Sequence, residues 1–157
     1  MYACDFRWWK IHAAAVQRDF TGDLYTQDQG WNEDNGKAFD PAQWGIKTLV
    51  SEEKAGLSRK QGIIHRGQNS GYQALNLAYL LGAERIILIG YDMMKTGNQR
   101  HWFGAHPAGL EVDSNYGMYA ANFATIKPAD YGIEIWNCSR RSALKCFPMI
   151  SLEEALA

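Results

Sequence analysis

Apolar residues at Phe6, Trp9, Ala13, Val16 and Phe20 recur at helical spacing and predict a helix over "DFRWWKIHAAAVQRDF". Ahead of it, "MYAC" reads as a short strand-like piece. "DLYTQ" and "IKTLV" (46–50) read as strands. Between them, residues 28 to 45 are rich in Gly, Asn and Asp and read as loop. "EEKAGLSRKQG" is polar and continues as loop. "GIIHRG" is a short strand that runs into "NSGYQALNLAYLLG", a helix with start and stop signals. Ser70 is the expected N-cap, with Gln73 at the capping-box position, and Gly82 closes the helix. "ERIILIGYD" is a near-continuous apolar run, the pattern of a strand in the buried middle of a parallel sheet. "SNYGMYAANFATIKPADYG" reads as helix interrupted near Pro128, and "IEIWNCS" as strand. "SLEEALA" reads as a short helix with a capping box, Ser151 and Glu154.

Strands and helices alternate, and the unit from "GIIHRG" to "ERIILIGYD" has the order of a right-handed strand–helix–strand crossover. The pattern predicts an α/β protein with a three-layer, Rossmann-like, mostly parallel sheet, in a single domain over residues 1–157. No internal repeat or low-complexity linker interrupts it.

Composition narrows the classes. The 157 residues are enough for a core, and the aromatic content is high, with six Trp, eight Tyr and six Phe. A formal net charge of −1 argues against a dedicated nucleic-acid binder. No apolar run approaches the ~20 residues of a membrane span, and the start lacks a basic leader followed by an apolar run. The cytosol is the expected compartment. Cys4, Cys138 and Cys146 form no CxxC pair and read as free thiols with a packing role.

In open parallel sheets, ligands bind beyond the carboxyl ends of the strands. That rule selects Asp5 after "MYAC", Gly67 to Gly71 after "GIIHR", Asp92 after "RIILIGY", and Ser139, Arg140 and Arg141 after "IEIWNC". All are expected around one crevice. "RGQNSG" enters a helix, so its backbone N–H groups suit a carboxylate or phosphate. A strand–helix turn with a good cap accounts for the same residues equally well. Asp92 fits a ribose hydroxyl, a metal or a turn cap.

"RHWFGAHP" carries His101 and His106 with Trp102 and Phe103 between them. The spacing is not that of a helical metal pair, and no Cys/His cluster surrounds it, so no metal is expected. The loop follows the strand that ends in Asp92, so a histidine here suits a general base and Trp102 a stacking wall. Spacing alone favours two histidines packed in an aromatic loop.

From "NSGYQALNLAYLLGAERIILIGYDM" onward the chain resembles the bacterial lipooligosaccharide sialyltransferases and their phage and prophage relatives. Ser70–Gly71, Gly90–Tyr91–Asp92 and Phe103–Gly104–Ala105–His106 match their motifs, with one residue inserted in the last. The closing "IWNCSRRSALKCFPMISLEEAL" resembles the phage relatives. The resemblance runs over roughly residues 60 to 157. It implies a Rossmann-like glycosyltransferase that transfers a sugar from a nucleotide-sugar donor. His106 would be the base. Ser70 and the following N–H groups would bind the sugar carboxylate or a phosphate. Asn69, Gly71, Asp92, Asp5 and Trp102 would line the donor site, and Arg140 and Arg141 would contact a phosphate. No cofactor beyond that donor is implied. The family's Gly-Asn-Gly-Pro-Ser phosphate loop has no match here, so the first βα unit is expected to be missing. An exposed sheet edge and a homo-oligomer follow as expectations, with Phe6, Trp8, Trp9, Phe20 and Trp31 near the contact. The alternatives are a non-catalytic binding or assembly protein on the same fold, or another nucleotide-sugar or phosphate-ester enzyme.

Overall fold

The computed structural model describes residues 1–28, 39–95, 110 and 114–157. The first helix, α1 (Phe6–Asp19), begins where Asp5 caps it, its carboxylate accepting from the Arg7 N–H. Its apolar stripe buries Phe6, Trp9 and Ala13 against Leu24 of β1 (Leu24–Gln27) and Ile46 of β2 (Ile46–Glu52). A 3₁₀ turn, Pro41–Trp44, leads into β2. Strand β3 (Ile63–His65) follows, then α2 (Ser70–Leu80). Strands β1, β2 and β3 lie side by side in that order, all parallel. Tyr2 adds a parallel bridge to Tyr25 on the outer side of β1.

Side chains alternate across a strand, so the two faces of this sheet can be assigned. Leu24 and Ile46 face α1. Tyr25, Leu49 and Ile64 face the other way and pack with Leu77 and Leu80 of α2. The two helices therefore cover opposite faces of the three-stranded sheet.

The second half of the chain builds a separate two-stranded parallel sheet, β4 (Arg85–Leu88) with β5 (Glu134–Asn137). Helices α3 (Tyr116–Phe123) and α4 (Pro128–Tyr131) connect them, with Pro128 at the start of α4 as its fixed φ requires. The other side of α2 belongs to this half. Tyr72 and Leu75 join Leu88, Phe123, Ile126 and Ile135 in the largest apolar cluster. Helix α2 thus ties the two sheets together. The final helix, α5 (Leu152–Leu156), carries the expected capping box between Ser151 and Glu154.

The alternation of strands and helices is the α/β pattern expected. Three particulars differ. The run "ERIILIG" is not the middle of a sheet: among the described residues β4 pairs only with β5, and Ile89 is 62% exposed. Strands β3 and β4, expected in one crossover unit of a single sheet, belong to different ladders among the described residues. Phe6 and Trp9, expected near an exposed edge, are 5% and 0% exposed inside the α1 cluster, so they are closed to a partner. Phe20 does remain exposed, and Trp31 lies outside the described residues. Among the described residues no helix is long and apolar enough to cross a membrane.

The cap of α2 is also corrected. Asn69, not Ser70, is the N-cap: its Oδ1 accepts from the N–H groups of Gly71 (2.9 Å) and Tyr72 (3.2 Å). Ser70 is the first helical residue. Gln73 does not close a capping box, because it is buried and accepts from the Tyr2 hydroxyl at 2.7 Å. Asn69→Ala is therefore expected to cost about 0.5–2 kcal/mol and Ser70→Ala a few tenths at most. Urea unfolding of the two variants checks the assignment, and equal losses would refute it.

Candidate functional site

The carboxyl ends of the Met1–Ala3 segment and of β3 approach one another, and between them lies a cleft of about 540 Å³. Residues Met1 to Asp5 form one wall. Trp8 enters from the first turn of α1, one helical turn beyond the Asp5 cap. Gln68, Asn69 and Ser70 form the second wall, and Leu110, Ser114 and Tyr119 are the other described residues that line the cleft.

The second wall depends on a tight turn. Gly67 and Gln68 both adopt left-handed backbone (φ +51° and +55°), and Asn69 then returns to extended geometry before α2 begins. A left-handed glutamine is unfavourable and needs holding. Its Nε2 donates to Glu53 Oε2 at 2.7 Å, and Arg66 stands 3.6 Å from the same carboxylate. Asn122 of α3 donates to the Gly67 carbonyl at 2.9 Å. The turn presents Gln68, Asn69 and Ser70 to the cleft while the Gly67 carbonyl is held by α3 and the Gln68 side chain by Glu53.

On the first wall, Asp5 is gripped by Arg7, whose guanidinium donates to both carboxylate oxygens at 2.7–3.2 Å. Burial works to raise the Asp5 pKa, but the Arg7 side chain and the Arg7 and Trp8 backbone N–H groups outweigh it and hold it below the ordinary aspartate value. Asp5 is therefore ionised at neutral pH. A depressed folded-state pKa makes its contribution to stability present at neutral pH and lost as pH falls through that value. Beside it, burial chiefly, with the Asp5 charge, pushes the Cys4 thiol up to about 11. Cys4 is thus a neutral thiol, not a poised nucleophile. All three cysteines are free.

Of the residues selected from sequence, Asp5, Gln68, Asn69 and Ser70 meet in this cleft. Gly71 does not reach it. A Cβ there would lie 2.8 Å from the Tyr91 ring and 2.9 Å from Asn69 Oδ1, and the Tyr91 hydroxyl donates to the Gly71 carbonyl. Its small size admits an aromatic ring, not a ligand. Asp92, Arg140 and Arg141 do not line the cleft either. They lie at the carboxyl end of the other sheet. There the Asp92 carbonyl accepts from the Ala143 N–H at 2.7 Å, and Ser139 and Ser142 bond the Tyr91 backbone. Both arginines are exposed. Among the described residues, the positions that the carboxyl-edge rule selects thus fall at the ends of two sheets that share no ladder. His101, Trp102 and His106 lie outside the described residues. No group of three or more His, Cys, Asp or Glu side chains placed to hold a metal occurs among the described residues.

Sequence reasoning missed Cys4, Trp8, Leu110, Ser114 and Tyr119 as site residues. Trp8 carried a readable signal, since a residue three positions after a strand-end cap sits one helical turn above it. Tyr119 carried none, since it arrives from a distant part of the chain.

No family model matches the chain, and no curated protein or solved structure matches it.

Proposed function

We propose that the chain is a glycosyltransferase-like protein of phage or prophage type on a Rossmann-like, three-layer scaffold, and that the cleft holds part of a nucleotide-sugar donor. One observation carries this reading. Asp5, Asn69 and Ser70 arise from two separate strand ends and converge with Trp8 on a cleft of ligand size, about 540 Å³. In this reading His106 is the general base toward the acceptor hydroxyl, Trp102 a stacking wall, and Asp92, Arg140 and Arg141 contacts to the donor's phosphate end. Thermal denaturation of the full chain against a panel of nucleotides and nucleotide sugars tests it. A melting temperature that climbs with ligand concentration, and does not climb in a Ser70→Trp variant that fills the cleft, supports the reading. A flat response across the panel removes it.

One feature favours a non-catalytic binding protein as second reading: no lysine, arginine or histidine is among the described residues that line the cleft. It predicts ligand binding with no donor hydrolysis or transfer.

Self-association is proposed from the sheet edges. Tyr2 bridges only β1 and β4 pairs only β5 among the described residues, which leaves strand edges for pairing. Sedimentation velocity at micromolar concentration is expected to show a dimer or larger species, and a monomer would defeat the proposal.

A further inference from the structure

The strand edges of this molecule are not equivalent. Across the β2–β3 ladder, the Val50 N–H donates to the Gly62 carbonyl and the Arg66 N–H to the Glu52 carbonyl. Backbone direction alternates along a strand, so Ile63 and His65 turn their polar groups to the outer side of β3. Both of those N–H groups are closed from within the chain. Ile63 donates to the Lys60 carbonyl at 3.1 Å and His65 to Asn76 Oδ1 at 2.9 Å. The outer side of β5 is covered at its end, where Met149 bridges Asn137. Beyond β1, Tyr2 is a single bridge residue and offers almost no edge.

Strand β4 has no such cover among the described residues. The Glu134 and Cys138 N–H groups donate to the Glu84 and Leu88 carbonyls, so the even-numbered residues of β4 turn toward β5. Arg85 and Ile87 turn the other way, and no described residue pairs with their N–H and C=O groups. An open row of this kind is a template for another strand, and edges are commonly guarded by Lys, Pro or a bulge. Here the guard is weak. Ile87 stands in the middle, half-buried, and Ile89 just beyond it is exposed. Arg85 is charged, but its guanidinium is paired with Glu134 at 2.8 Å and lies 4.2 Å over the Trp136 ring.

This edge also matches itself. Two copies of β4 set antiparallel about a two-fold axis at Ile86 bring Arg85 of each copy opposite Ile87 of the other. Residues facing one another in this way exchange both N–H and C=O bonds, which satisfies every outward group of the two residues. The register keeps Arg85 away from its own mate, so no like charges meet, and its aliphatic stem lies along Ile87. On the other face Ile86, half-buried against the largest apolar cluster, meets the second Ile86. A two-fold pairing closes on itself, whereas β4 against Tyr2 of another copy would run head to tail and leave edges open.

We propose that β4 is the edge through which this protein self-associates, and that two copies pair there as antiparallel strands about Ile86, joining their two-stranded sheets into one. The assignment rests on the self-association proposed above and names its surface.

Amide hydrogen exchange of the full chain, read by NMR over a concentration series beside sedimentation velocity, tests it without a substitution. As dimer forms, the Arg85 and Ile87 N–H groups are expected to slow about tenfold or more, while Ile86 and Leu88, already turned toward β5, change much less. Two variants test the register. Ile87→Lys sets an ammonium against the partner's arginine on both sides of the axis, and is expected to raise the dissociation constant about tenfold or more. Ile87→Glu sets a carboxylate there and is expected to keep it within about threefold. Circular dichroism checks that both variants fold, and the exchange measurement stands alone if either does not. A dimer in which the Arg85 and Ile87 amides exchange as fast as in the monomer would overturn the assignment of β4 and leave self-association standing. So would equal weakening, or no weakening, by the two folded variants. A monomer at every concentration would remove self-association itself, and this edge with it.

Discussion

Asn76→Leu is expected to lower the unfolding free energy by about 3–5 kcal/mol, a large share of the total for a domain of this size. Asn76 sits in the middle of α2, fully buried. Its Oδ1 accepts from the N–H groups of Ser58 and His65, both at 2.9 Å, and its Nδ2 donates to the Ser58 carbonyl at 3.1 Å. Leucine has similar volume, so the substitution leaves little cavity and isolates the polar loss. Two buried N–H groups and one carbonyl would be left without partners, at roughly 1–3 kcal/mol each before relaxation. The consequence reaches the cleft, because these bonds fix the chain at both ends of the path from the Gly56–Ser58 loop to the end of β3. Urea denaturation is the check: the midpoint should fall with little change in slope. A loss below about 1 kcal/mol would mean that water or a shifted loop satisfies these groups, and that Asn76 does not organise this region.

Asn76 also shows where reading the sequence stops. Within "SGYQALNLAYL" it looks like a surface position on an amphipathic helix. Only the packing of α2 against both sheets makes every side of that helix an inside. The same holds for Asn137, a polar residue at the end of an apolar strand. Its side chain bonds Ser139 N–H, Ser142 Oγ and the Leu144 carbonyl, and so shapes the loop that bears Arg140 and Arg141. Periodicity did locate the elements. The spacing of Phe6, Trp9 and Ala13 predicted both α1 and the face it buries, and the punctuation around residues 67–82 predicted α2. The Asn69 and Ser70 caps were not separable that way. Both residue types cap well, and the choice is made by the two left-handed residues before them, which swing Asn69 into position. Strand pairing was the least legible feature. "RIILIG" has the composition of a doubly covered strand, yet which strand lies beside it is a tertiary matter. That is why, of the residues the carboxyl-edge rule selects, Asp5, Gln68, Asn69 and Ser70 share one cleft while Asp92, Arg140 and Arg141 lie at the end of the other sheet.

The turn that presents the cleft's second wall is sensitive to a small change at Gly67. Gly67→Ala is expected to destabilise by about 2–4 kcal/mol and to abolish ligand binding at this cleft, whereas Gly82→Ala costs about 1 kcal/mol and leaves binding unchanged. Both glycines have left-handed backbone, φ +51° and +91°, so both substitutions carry the strain of placing a Cβ there. They differ in space. Nothing lies within 4 Å of a Cβ at Gly82, but at Gly67 it would fall 2.2–2.6 Å from atoms of the Tyr72 ring. That ring cannot step aside cheaply. Tyr72 is fully buried, packs edge-on against Phe123 with centroids 5.3 Å apart, and donates its hydroxyl hydrogen to the Gly56 carbonyl. The turn must move instead, and with it Gln68, Asn69 and Ser70. Shrinking the obstacle separates the two contributions: Tyr72→Leu loses stability on its own, but adding Gly67→Ala to it is expected to cost only about 1–2 kcal/mol more, the backbone strain alone. Additive losses in this double-mutant cycle, or intact binding in Gly67→Ala, would show that the turn does not depend on contact between the glycine and the ring.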